Sequence, residues 1–168
     1  MYYLGIDPGL TGAAALMNEN QLVEVIDLPV MTVGKGEGRV KNQINAAALA
    51  MELRRLVVVP GALTVAIEKV GAMPDQGIAG VFSFGDTVGC IRGVVATLGY
   101  PIEWVTPQQW KKHFKIPREK DVARSVAINL FPGAPLTRKK DHNRAEAMLL
   151  ARYAWHMANL PPAGDRPF

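Results

Sequence analysis

The stretch Tyr3-Leu4-Gly5-Ile6-Asp7-Pro8-Gly9 decides how the chain reads. The apolar run from Tyr2 to Ile6 has the length of a buried strand, and Asp7-Pro8-Gly9 ends it abruptly. Working outward, Thr11–Met17 and Gln21–Leu28 read as two further strands joined by the turn Asn18-Glu19-Asn20, a three-stranded antiparallel meander. Gly34-Lys35-Gly36-Glu37-Gly38-Arg39 is too glycine-rich for a regular element and is expected to be a flexible loop. Ile44–Val57, rich in Ala and Leu, predicts a helix, and Leu63–Ile67 predicts a strand after Pro60-Gly61 with Glu68 at its end. Val81, Phe84, Val88, Ile91, Val95 and Leu98 recur at spacings of three and four, an amphipathic helix with Phe84 in the core, stopped by Gly99. Pro101–Val105 reads as a strand. Short helices around Pro107–Phe114 and Glu119–Phe131 follow, and a last helix runs from about Asn143 to Asn159 before the Pro161-Pro162 tail. The order β-β-β-α-β-α-β-α predicts one α/β domain over residues 1–168, built around a mixed sheet, with a tail from about residue 160.

Composition narrows the class without naming a function. A chain of 168 residues can bury a core without staples, and the lone Cys90 excludes an internal disulfide framework and a cysteine zinc cage. No uninterrupted apolar run reaches the roughly 18 residues of a membrane span, and the N-terminus lacks the layout of a signal peptide. The expectation is a soluble, cytoplasmic protein with no membrane partner. Net charge is only +4, yet it is unevenly placed. Lys111, Lys112, Lys115, Arg118, Lys120, Arg124, Arg138, Lys139, Lys140 and Arg144 stand against three acids, a net of +7, while the rest of the chain carries −3. Such asymmetry suits a face that binds a polyanion, or else a solvated helical surface.

Two acids stand at strand ends, Asp7 and Glu68. If their strands are neighbours, two carboxylates lie side by side, an arrangement that repulsion disfavours unless a cation sits between them. Oxygen donors suit a hard divalent ion such as Mg²⁺. A third acidic position opens the last helix, Asp141-His142-Asn143-Arg144-Ala145-Glu146. Glu146 shares a helix face with His142 and Asn143, whereas Asp141 must come from the turn leading in and can also cap the helix.

In order and spacing, Leu4-Gly5-Ile6-Asp7-Pro8-Gly9, Ala66-Ile67-Glu68-Lys69-Val70 and Arg144-Ala145-Glu146-Ala147-Met148-Leu149-Leu150-Ala151 resemble the RuvC-type Holliday junction resolvases. The nearest likeness is to the RuvC-like endonucleases of bacteriophages, which carry segments like Ala72-Met73-Pro74-Asp75-Gln76-Gly77 and Val105-Thr106-Pro107-Gln108-Gln109-Trp110-Lys111-Lys112. The resemblance implies a ribonuclease-H-like fold, a five-stranded mixed sheet with helices on both faces. It also implies a homodimer that cuts four-way DNA junctions with divalent metal in a bacterial or phage-infected cytoplasm.

Asp7, Glu68 and Glu146 match three of the family's acids. The fourth position falls on Asn143, which lacks a full charge, so Asp141 or His142 would replace it, with Asp141 preferred for its carboxylate oxygens. Two Mg²⁺ ions, replaceable by Mn²⁺, would clamp the attacking water and the leaving 3′-oxygen. Asp7 would bridge them, with Glu68 on one and Asp141 with Glu146 on the other, and the product would be a 5′-phosphate nick. Lys111 or Lys112, with Lys120 matching a second family lysine, would stabilise the developing charge or simply contact phosphate. The basic tract would then bind the DNA backbone. Phe82 and Met73 are candidates for a wedge that opens the junction; where bacterial members carry their aromatic, this chain has Gly71. Competing readings are a broader nuclease for forks and flaps and a junction-binding protein without catalysis. A single lobe of an actin-like ATPase is disfavoured, because no second phosphate loop exists.

Overall fold

Tyr2–Asp7 forms β1, the central strand of a five-stranded sheet. On one side it pairs antiparallel with β2 (Ala13–Asn18), which pairs with β3 (Gln21–Asp27). On the other it pairs parallel with β6 (Leu63–Glu68), which pairs parallel with β7 (Ile102–Val105). The sheet order is β3-β2-β1-β6-β7, mixed as the sequence predicted. This computed structural model describes residues 1–19, 21–36, 39–57, 62–71, 77–117 and 120–160. Met73, Arg118, Asn20 and the proline tail lie outside them, and for Lys120 only the backbone is described.

Period-two alternation along β1 sends its side chains to two cores. Leu4 and Ile6 join Val65 and Ile67 beneath α1 (Ala46–Leu56) and α2 (Ile78–Thr97). Tyr3 joins Ala66 on the opposite face beneath α3 (Pro107–His113), α4 (Lys120–Leu130) and α5 (His142–Ala158). Helices therefore cover both faces. Helix starts follow local chemistry: the Asn45 side chain accepts from Ala48 N–H at 3.1 Å to cap α1. Thr106 and Gln109 close a reciprocal capping box at α3, with Pro107 in its first turn.

Gly5 explains how closely α5 approaches the sheet. A methyl group there would overlap the Ala147 carbonyl oxygen and the Ala151 amide nitrogen. Only glycine lets the first turns of α5 lie against the middle of β1, and α5 is buried along Ala145–Ala151 apart from Glu146.

Three expectations are corrected. Much of the glycine-rich segment is strand: Gly34–Gly36 end β4 (Val30–Gly36) and Arg39 begins β5 (Arg39–Ile44), a separate two-stranded sheet with a register shift between Thr32 and Lys35, while Glu37 and Gly38 lie outside the described residues. Cross-strand pairing of Val30 with Ile44 and of Met31 with Gln43 outweighs the low strand propensity of glycine. Phe84 is only half-buried, because α2 sends Thr87, Ile91 and Val95 inward and leaves its N-terminal half standing clear. Finally, α2, at 20 residues with mean hydropathy 1.4, is long and apolar enough to cross a membrane despite Asp86 and Arg92. Counting only uninterrupted runs missed it; Ile91 and Val95 nevertheless pack into the same core as β1 and β6.

Candidate active site

The parallel register of β1 and β6 aligns Gly5 with Ala66 and Ile6 with Ile67, which sets Asp7 and Glu68 side by side at the carboxyl ends of these two strands. Alternation points both carboxylates to the α5 face, as for Tyr3 and Ala66. From the second turn of α5, Glu146 joins them. Carboxylate oxygens of Asp7, Glu68 and Glu146 lie within 4.8 Å of one another, the first two residues buried and the third half-buried.

Burial pushes the Asp7 carboxyl well above its ordinary range, reinforced by the negative charges of Glu146 and Glu68 and opposed by Lys111. Glu68 is also raised by burial and by Glu146, while a hydrogen bond from Trp110 and the Lys111 charge pull the other way. Among the described residues, the ion pair that reaches the cluster is that of the Lys111 ammonium, 3.8 Å from Glu146 Oε1. One ammonium does not balance three carboxylates. The donor set, all hard oxygen and closely spaced, fits a divalent cation.

Asp141 is not brought into this cluster. Its Oδ1 accepts from Arg138 Nη2 at 2.7 Å and Nε at 3.0 Å, and its Oδ2 accepts from the Arg138 backbone N–H at 2.7 Å. That pairing holds its carboxyl below the usual range, so the Asp141 charge is already matched by Arg138. The acids that the structure brings together are thus Asp7, Glu68 and Glu146, without the Asp141 expected beside them. His142 lies with Nδ1 3.4 Å from the Lys139 carbonyl oxygen. Asn143 is nearer the acids: its amide donates to the Thr11 carbonyl and, at 2.9 Å, to Thr11 Oγ1. It lines a cleft of about 410 Å³ shared with Asp7, Gly12 and Phe84. A second cleft of about 330 Å³ continues past Asn143 to Lys140 and Val30 at the hairpin root.

The basic tract is less uniform than its sequence suggests. Arg124 Nε donates to the Leu136 carbonyl at 2.9 Å, Arg138 holds Asp141, and Arg144 clamps Asp27 through bonds of 2.6 and 2.7 Å. Lys111 turns toward Glu146, and Lys112, Lys115, Lys139 and Lys140 are exposed. Phe82 is 78% exposed on α2. One site contact had no place in the sequence reading: Trp110 Nε1 donates to Glu68 Oε1 at 2.8 Å. A lone aromatic within the polar segment Pro107–Lys112 was its only signal.

No family model matches the chain. Over 109 residues, 62% of the chain, it is 29% identical to the chloroplastic Holliday junction resolvase MOC1 of Chlamydomonas reinhardtii, and it spans only 12% of that relative's length. Among solved structures, Thermus thermophilus RuvC superposes with a TM-score of 0.56 at 20% identity, covering 94% of this chain and 96% of that one. The same organism's RuvC in complex with a Holliday junction substrate gives a TM-score of 0.60 at 20% identity, covering 96% and 99%. The fold is that of RuvC. Within the RuvC fold the three clustered acids sit at the ends of the two central parallel strands and on the helix packed against them.

Proposed function

We propose that this chain is a structure-selective DNA endonuclease that resolves four-way (Holliday) junctions by metal-dependent phosphodiester hydrolysis, leaving 5′-phosphate nicks. The observation that carries the reading is the trio Asp7, Glu68 and Glu146, whose oxygens converge within 4.8 Å in a RuvC fold. Residues 1–168 act as one nuclease domain, and the likeness to bacteriophage RuvC-like endonucleases rests on the segments quoted above.

Asp7, Glu68 and Glu146 hold Mg²⁺, for which Mn²⁺ can substitute, two ions per site. Such cations, when bound, would supply Lewis acidity to the attacking water and the leaving 3′-oxygen. The chain's own groups do the rest. Lys111, at the rim of the acids, is directed at the charge that develops on the scissile phosphate. Lys112 and the exposed Lys115, Lys139 and Lys140 bind the flanking backbone, an interaction that weakens with salt and carries little sequence information. The cleft between the Asp7–Gly12 turn and α2 receives the strand. Phe82 remains a candidate wedge, supported by its exposure on α2.

The reading includes a homodimer, since two matched sites suit the two-fold symmetry of a junction. The face of α2 left open among the described residues supports it: Ile78 is 91% exposed, and a methyl group at Gly85, Gly89 or Gly93 would meet none of them within 4 Å. A bacterial or phage-infected cytoplasm is the proposed setting. Cleavage of labelled four-way junction, fork, flap and linear duplex, side by side with Mg²⁺ and with Mn²⁺, tests the assignment. Preference for the four-way junction supports it. Equal cutting of forks and flaps points to a broader branch nuclease, and binding without cutting points to a non-catalytic protein.

A further inference from the structure

Helix α3 forms a wall of the acid cluster that reaches two of its three members. Trp110 is fully buried, and its indole N–H donates to Glu68 Oε1 at 2.8 Å. The next residue, Lys111, lies with its ammonium 5.1 Å from the centroid of the Trp110 ring and 3.8 Å from Glu146 Oε1. The wall is rigid at its start: Thr106 N–H donates to Gln109 Oε1 at 2.8 Å, and Gln109 N–H donates back to Thr106 Oγ1 at 3.3 Å.

We propose that Trp110 is a positioning residue of the metal site, whose indole N–H holds one oxygen of Glu68 while its ring steadies Lys111 beside Glu146. This rests on the nuclease reading above. An indole N–H can only donate, and a buried one needs an acceptor; a backbone carbonyl would satisfy it as well as an acid. Here the acceptor is a strand-end carboxylate that makes no other hydrogen bond among the described residues. With Oε1 tied, the carboxylate plane cannot turn freely, and the second oxygen stays available to a cation. Groups that orient ligands in this way typically change metal affinity by about 10–100-fold when removed. A tryptophan has a further property: its emission responds to the charge of the group on its N–H, so metal capture by Glu68 has a built-in reporter.

The test uses Mg²⁺ alone, then DNA. Trp110→Phe keeps an aromatic ring but removes the N–H together with part of the indole. It is expected to weaken Mg²⁺ binding measured by calorimetry, and to raise the Mg²⁺ concentration for half-maximal junction cleavage, by about tenfold or more. Metal-free junction affinity should stay unchanged. Independently, Trp104→Phe/Trp155→Phe leaves Trp110 as the single tryptophan of three. Its emission should change on Mg²⁺ addition with the calorimetric midpoint, and Glu68→Gln should abolish that change. A folded Trp110→Phe with an unaltered Mg²⁺ midpoint would overturn the proposal, as would emission that stays constant through saturation. If Trp110→Phe does not fold, the single-tryptophan titration decides. Failure of the nuclease reading looks different: the parent protein itself then binds no Mg²⁺ or cuts no branched DNA.

Discussion

Asp141 and Glu146 lie five residues apart at the start of one helix, and the structure employs them in opposite ways. Asp141 is wrapped by Arg138, which supplies side-chain and backbone donors and holds the carboxyl below its usual range. Glu146 turns the other way, toward Asp7 and Glu68, with only the more distant Lys111 ammonium as counter-charge. The first acid is satisfied within the protein and fastens the turn entering α5. The second belongs to a cluster whose two buried members are raised by burial and by the neighbouring negative charges. An acid already matched has nothing to offer a metal; a group of unmatched acids needs one.

The sharpest way to break that contrast is Asp7→Asn. Loss of the central carboxylate should reduce cleavage by about 10²–10³-fold or more while leaving junction binding nearly intact, as read by gel cleavage and mobility shift. Full activity would end the metal-site assignment. Glu146→Gln should fall into the same range.

Next in size is Gly5→Ala. The added methyl meets backbone atoms of α5, so it should cost about 3 kcal/mol or more in denaturant unfolding, and any folded fraction should have displaced Glu146 and lost activity. Stability equal to the parent would mean that α5 does not approach β1 as closely as described.

Asp141→Asn should behave differently from both. Arg138 is half exposed, so solvent screens the pair, and the loss should be about 1 kcal/mol with cleavage within about tenfold of the parent. Loss of cleavage as complete as in Asp7→Asn, at unchanged stability, would return Asp141 to the ligand set. His142→Ala should leave cleavage within the same bounds.

The smallest effect is a slope with pH. In EDTA, the folded protein keeps protons on Asp7 and Glu68 that the unfolded chain has released, so these groups make stability fall as pH rises from about 4 through their raised folded values. Asp141, with its lowered value, acts oppositely: its contribution is present above about pH 4 and is lost as pH falls toward its folded value. Metal-free Asp7→Asn should therefore melt above the parent at pH 7.5, with the gap narrowing at pH 4.5, and Mg²⁺ should reverse the order at pH 7.5. A gap that does not change with pH would show that the acids are not destabilising one another.

The sequence by itself determined the main sheet and two of the site's acids. An apolar run halted by Asp7-Pro8-Gly9, and a second ending in Glu68, are local patterns, since strand ends are written in the residues that stop them. Short-range spacing also placed Glu146 on one helix face with His142 and Asn143. The hairpin β4–β5 was not legible, because cross-strand pairs hold its glycines in place and those pairs are not local. Nor could sequence choose among Asp141, His142 and Asn143 for the fourth position or divide the basic tract into working and occupied residues. Both depend on where arginines find their partners: Arg138 on Asp141, Arg144 on the distant Asp27, Arg124 on a carbonyl. Trp110 reaches Glu68 across 42 positions of chain. Charge and polarity are properties of residues, but neutralisation is a property of pairs, and only the folded chain brings the pairs together.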